Sequence, residues 1–198
     1  MNTKISHILL VLSAFVGGLV VVLGILLYAT GQFGAGASGS STIGGPFKLI
    51  DQNGKPVTEA SLKGKPTLVY FGYTHCPDTC PTTLFELSEV LRAMGKDAGR
   101  ANALFVTIDP ERDTPAVLKD YLSAFDPHLI GATGSHQAVA AIEKEYRVYS
   151  KKVPTENGDY GMDHTSLIYL MDKDGRFVAP FNLNRKPEAS AAALRKYL

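Results

Sequence analysis

The order of patterned segments predicts an α/β domain, a sandwich of helices about a mixed central sheet. Three observations carry that reading. Continuous apolar runs of strand length, residues 67–71 and 103–108, alternate with segments of helical periodicity. A hairpin signal stands near each end, Asn53-Gly54 and residues 172–175. The chain has 198 residues, 45% of them hydrophobic, enough for one well-packed domain once an apolar N-terminus is set aside.

In chain order, Phe47, Lys48, Leu49 and Ile50 lead into a turn at residues 51–54, and Val57 belongs to the returning strand of a small N-terminal hairpin. Residues 67–71 suit a buried strand. Leu84, Leu87, Leu91 and Met94 recur at helical spacing and give the next helix one apolar face. Residues 103–108 are a second buried strand. Thr114 is a helix cap with Pro115 at the first helical position, and Val117, Leu118, Tyr121, Leu122 and Phe125 form the stripe of that helix. A short strand at 129–132 precedes a helix capped by Ser135 and carrying Val139, Ile142 and Tyr146. An extended segment is expected over 146–153, a second hairpin from 167–171 and 177–181, and an alanine-rich helix over 187–197. With two cysteines directly after the first central strand, this is the thioredoxin-like order.

The N-terminus is of a different kind. Residues 8–28 carry no charged side chain, and at about 1.5 Å per residue a helix of that length crosses a hydrocarbon core of roughly 30 Å. A secretory signal peptide is the competing reading, but its apolar region is usually only about 7–15 residues long. Lys4 is the only basic residue before the span, which places residues 1–7 in the cytoplasm and the rest of the chain outside. Residues 29–45, rich in Gly, Ser and Ala, read as a tether, and residues 46–198 as the folded domain. With Lys4 set aside, the 20 basic residues lose one and match the 19 acidic ones, which excludes the basic footprint of a nucleic-acid binder.

The chemistry sits in T-H-C-P-D-T-C-P-T, residues 74–82, which holds the only two cysteines, Cys76 and Cys80. In a regular helix their Cβ atoms would be about 5–6 Å apart. A disulfide needs roughly 3.5–4.5 Å, whereas a metal with bonds of about 2.3 Å can sit between sulfurs on the order of 4 Å apart. The spacing leans toward a metal without forbidding a disulfide. Pro81 is best accommodated at the first helical position, which leaves 77–79 as a loop and Cys80 at the helix cap, where exposed amides and the helix dipole favour its thiolate. Two inert core cysteines are the bland alternative.

Two sulfurs need a third donor. His7 borders the apolar span, and His128 and His136 stand near turn or helix starts. His75 abuts Cys76 but points away if strand alternation continues. His164 lies in a loop just before the strand 167–171 and can meet the cysteine loop, although by spacing alone it is as readily an ordinary loop histidine. Two thiolates and an imidazole suit copper. Structural zinc would want a fourth ligand. Met162 is either a further sulfur or loop packing.

G-Y-T-H-C-P-D-T-C-P (72–81), D-P-E-R-D-T-P (109–115) and D-H-T-S (163–166), in this order, resemble the Sco/SenC proteins. These are membrane-anchored, thioredoxin-like copper proteins implicated in assembling the dinuclear copper centre of cytochrome c oxidase. The resemblance runs from about Phe47 to the C-terminus. It implies Cys76, Cys80 and His164 as ligands of one copper per chain, as Cu(I), Cu(II) or both. It implies a chaperone rather than an enzyme, with subunit II of the oxidase as acceptor and an upstream copper donor as a second partner. The anchor then lies in a bacterial-type inner membrane, crossed once, with the domain on the periplasmic face. Thr165 stands where many members have serine, and His75 falls at a variable position. Asp109 and Asp113 read first as turn and helix-start residues, and second as groups behind the ligands. Asp78 is likewise a turn residue first and an electrostatic modulator second. A thiol–disulfide oxidoreductase that reduces the acceptor cysteines, a redox or copper sensor, and a peroxiredoxin-type peroxidase are the alternatives.

Overall fold

The apolar runs at the centre of the chain become the central strands of a seven-stranded mixed sheet. The computed structural model describes residues 15–25, 43–156 and 158–198. The chain divides into two units, Met1–Ser41 and Thr42–Leu198. In the first unit, residues 15–25 form a helix, α1, uncharged and exposed throughout. Among the described residues no helix is long and apolar enough to cross a membrane. The remainder of the expected span, residues 8–14 and 26–28, lies outside the described residues, as do the stub 1–7 and residues 29–42 of the tether.

The second unit runs β1 (Lys48–Asp51), β2 (Pro56–Thr58), α2 (Glu59–Leu62), β3 (Thr67–Gly72), α3 (Thr79–Met94), a 3-10 helix (Gly95–Arg100), β4 (Asn102–Thr107), α4 (Pro115–Leu122), β5 (Leu129–Thr133), α5 (His136–Tyr146), β6 (Ser150–Pro154), β7 (Tyr160–His164), β8 (Ile168–Met171), β9 (Phe177–Pro180) and α6 (Pro187–Arg195). The sheet order is β2-β1-β5-β4-β3-β8-β9. β3, β4 and β5 are parallel, which is why β3 and β4 are apolar on both faces. The N-terminal hairpin pairs antiparallel with β5, and the C-terminal hairpin with β3.

Successive right-handed crossovers from β3 to β5 put α3 and α4 on one face, where Tyr121 of α4 meets Phe105 of β4. α6 packs on α3. Tyr146 of α5 meets Phe71 from the opposite face, as strand alternation with Tyr70 requires. Thr114 and Ser135 cap α4 and α5, each accepting a main-chain N–H three residues on.

Four expectations change. Tyr146 is the last residue of α5 rather than the start of an extended segment, because Arg147 takes a left-handed conformation with φ 55° and ends the helix. Val117 is more exposed than the stripe of α4 implied. α3 begins before Pro81, with Asp78 as its cap residue. Its first main-chain bond runs from Thr82 N–H to the Asp78 carbonyl at 3.2 Å, so a proline at 81 deletes no donor that the helix uses. Finally, β7 and its pairing with β6 were not expected. They form a separate two-stranded sheet, and His164 is its last residue rather than part of a loop.

Candidate metal centre

The carboxyl ends of β3 and β4 meet at one edge of the sheet, the place where open α/β sheets present their chemistry. β3 ends at Gly72 and delivers the cysteine loop. A Cβ on Gly72 would stand 2.9 Å from Cys80 Sγ and 2.8 Å from Phe105 Cε2, so only glycine lets the sulfur seat on the strand. Cys80, at the second position of α3, is fully buried, while Cys76 is partly exposed. Both thiols are free, and the Cys80 N–H donates to Cys76 Sγ at 3.4 Å. The expected thiolate at Cys80 is not what this seat favours. Burial pushes its thiol up to about 12, with the Cys76 sulfur adding to the rise, and contacts to Tyr73 and Tyr70 offset only part of it. Desolvation outweighs the helix terminus.

His164 comes from the other side of the cleft. Its Nδ1 lies 3.0 Å from the Thr165 carbonyl, which can only accept, so the proton belongs on Nδ1 and the lone pair on Nε2. Nε2 stands 3.9 Å from Cys80 Sγ. The Tyr73 ring meets the imidazole edge-on, with centroids 6.0 Å apart and planes at 87°. Cys76, Asp78, Tyr73, Met162 and His164 line one shallow cleft. Met162 also packs on the core. Among the described residues, no group of three or more His, Cys, Asp or Glu side chains is drawn together tightly enough to hold a metal ion as it stands. A larger surface cavity lies elsewhere, beside Leu62, Tyr146 and Phe177, and contains none of these groups.

The two aspartates of the second motif do different things. Asp113 is fully buried and accepts the Thr74 N–H at 3.0 Å, the Thr74 hydroxyl at 2.6 Å and the Thr107 hydroxyl at 2.6 Å. It therefore ties the start of the cysteine loop to the end of β4. Asp109, also buried, pairs with Arg112 Nε and accepts the Tyr160 hydroxyl at 3.0 Å. Asp78 is exposed, and its side chain makes no capping bond although it occupies the cap position. Sequence reasoning passed over Tyr73, Arg112, Tyr160 and the Thr165 carbonyl. Arg112 and Tyr73 lay inside the quoted motifs, and that was their only signal.

The other histidines stand apart from the cysteines. His75 is exposed and turned to Thr74 Oγ1 at 3.1 Å, His128 pairs with Asp126 at 2.8 Å, and His136 with Glu111 at 3.2 Å. His7 lies outside the described residues.

A mixed sheet with paired cysteines where its first parallel strand enters a helix defines a thioredoxin-like protein. Comparison with known proteins narrows this. A sequence model of the SCO1/SenC family matches residues 35–198. "Protein SCO2, mitochondrial" of Saccharomyces cerevisiae is 42% identical over 165 residues, 82% of this chain, which spans only 55% of the yeast protein's length. The "SCO2-like protein" of Rickettsia felis is 42% identical over 148 residues, 74% of this chain and 72% of that one. The structure of Bradyrhizobium japonicum ScoI with copper bound is 69% identical with a TM-score of 0.78, covering 79% of this chain and 99% of that one. The chain belongs to the SCO1/SenC family.

Proposed function

We propose that the protein is a membrane-anchored copper chaperone that holds one copper between Cys76, Cys80 and His164 and passes it to the dinuclear copper centre of cytochrome c oxidase subunit II. The observation that carries this reading is the 3.9 Å separation of Cys80 Sγ and His164 Nε2. Bonds of about 2.3 Å to sulfur and about 2.0 Å to imidazole nitrogen span about 3.7 Å at a trigonal angle. The lone pair on Nε2 is already presented, and Cys76, which lines the same cleft as His164, supplies the second sulfur in this reading. Two thiolates and one neutral imidazole favour Cu(I) and tolerate Cu(II). A three-donor site leaves one side open, which ligand-by-ligand transfer to an acceptor needs. Arrival from an upstream copper donor uses the same opening. The charge-free stretch 8–28, helical over residues 15–25, supports the single-pass anchor in a bacterial-type inner membrane, with the domain on the periplasmic face.

Copper stoichiometry and Cu(I) affinity of the full chain test this, beside Cys76→Ser, Cys80→Ser and His164→Ala. One copper per chain is expected, with affinity lost in either cysteine variant and severely weakened without the imidazole. Unchanged affinity in His164→Ala would overturn the three-donor site. A second reading, thiol–disulfide exchange with the acceptor, is favoured by the pairing of an accessible Cys76 with a buried Cys80 beside it. It needs no imidazole, so exchange that survives in His164→Ala while copper binding fails separates the two.

A further inference from the structure

His164 rides on an element that shares no ladder with the main sheet, and among the described residues most side chains of β6 and β7 are exposed or only partly covered. Main-chain pairing within the hairpin holds its strands to each other, not to the domain. Side-chain contacts do that, and several of them run through Arg112.

We infer that Arg112 is a positioning residue for His164, a clamp that fastens the β6–β7 hairpin to the loop after β4. Its functional meaning rests on the copper reading above. Arg112 Nη1 donates to the Tyr160 carbonyl at 3.0 Å and to Asp159 Oδ1 at 3.2 Å. Its Nε is paired with the buried Asp109. The guanidinium lies over the Tyr160 ring at 3.7 Å, and 5.8 Å from the centre of the Tyr73 ring, which in turn abuts His164. Asp109 closes the circuit by accepting the Tyr160 hydroxyl at 3.0 Å. A planar fork can satisfy a carboxylate, a carbonyl and an aromatic face together, whereas a lysine offers one point of charge.

The next residue, Asp113, holds Thr74 at the start of the cysteine loop. One dipeptide, Arg112-Asp113, thus fastens the sulfur side of the cleft with one residue and the imidazole side with the other. Lys152 also reaches Glu111 and the Tyr160 ring, but that pair is exposed and screened by water. The contacts of Arg112 to Asp109 and to the Tyr160 carbonyl are partly buried, beside the Tyr160–Asp109 bond and the packing of Met162 on the core. When they release, the hairpin can lift, and His164 leaves the cysteines without disturbance of the main sheet.

Amide hydrogen exchange of the metal-free, reduced, full-length protein tests the clamp without copper. In Arg112→Ala, the amides of β6 and β7 are expected to exchange about ten- to a hundredfold faster, the range for losing a charge-assisted hydrogen bond, with β3 and β4 unchanged. Arg112→Lys keeps the charge and is not expected to restore protection. Tyr160→Phe keeps the ring and removes only the bond to Asp109, so a smaller acceleration in the same residues is expected. Wild-type hairpin rates in Arg112→Ala and Tyr160→Phe overturn the inference, and so does an acceleration spread equally over β3 and β4. The second arm is Cu(I) dissociation, expected to rise about tenfold in Arg112→Ala at unchanged stoichiometry. A loosened hairpin with unaltered copper release overturns the link to His164. Failure of the wild type to bind copper instead removes the copper reading, while the exchange arm still reports on the clamp.

Discussion

Cys80 Sγ and His164 Nε2 face each other at 3.9 Å across 84 residues of chain. The sulfur belongs to the first turn of α3 and is seated on β3 through Gly72, while the imidazole ends β7 in a different sheet. The distance between them is therefore a tertiary quantity. It depends on how firmly two independently built elements are held, and each of the following expectations probes one of those holds.

The two thiols of the reduced, metal-free protein should differ in reactivity. Cys76 is partly exposed, whereas Cys80 is buried and its thiol is pushed up to about 12. Near neutral pH, alkylation followed by mass spectrometry is expected to label Cys76 first and Cys80 only on unfolding. Equal labelling in the folded protein would contradict the seat described for Cys80.

The same burial sets a pH dependence. Between about pH 9 and 12 the unfolded chain has lost the Cys80 proton while the folded chain retains it, so stability falls as pH rises through that window. Below it both states are protonated and the group contributes no slope. Denaturant midpoints of the reduced protein should decline across the alkaline range, and more shallowly in Cys80→Ser. The residual slope belongs to the tyrosines, Tyr70, Tyr121 and Tyr146 among them, whose burial raises their phenols in the same direction.

Gly72→Ala places a methyl against Cys80 Sγ and the Phe105 ring, both closer than 3.0 Å. The ring is fully buried and has nowhere to retreat. A loss of about 1–3 kcal/mol in unfolding free energy is expected, the usual cost of overpacking a core. Copper affinity should fall with it because the sulfur is displaced toward the cleft. An unchanged affinity would show that the site tolerates a shifted Cys80.

Asp113→Ala leaves the Thr74 N–H and the Thr74 and Thr107 hydroxyls without their acceptor. Thr107 is buried and Thr74 partly so, and a loss of about 2–4 kcal/mol is expected from such orphaned groups. Asp113→Asn keeps one acceptor oxygen and should recover part of it. Chemical denaturation measures both.

The fold was legible wherever one local signal dominated. The apolar runs at β3 and β4, the caps Thr114 and Ser135 and both turn signals each have a cause within a few residues. The start of α3 was not, because any first-turn position accommodates a proline and the sequence alone does not choose among them. β7 and its pairing with β6 escaped because Y-G-M-D-H is short, carries a glycine and two polar residues, and has no buried position. Its place is set by Arg112, some 48 residues upstream of the carbonyl it grips. Cys76, Cys80 and His164 were legible as residue types; Cys76 and His164 line one cleft, and the buried Cys80 lies beneath it with its sulfur 3.9 Å from His164 Nε2. The protonation of Cys80 was not legible, since the burial responsible comes from Gly72 and the core around it.

The separateness of the two-stranded sheet gives the domain interchangeable parts. The rest of the molecule folds around seven strands that never borrow a ladder bond from β6 or β7. Residues 148–166 can therefore be treated as a cassette. Grafting a hairpin with a different donor at 164, while keeping its grip on Arg112, would retune metal preference and leave the scaffold that presents the sulfurs untouched.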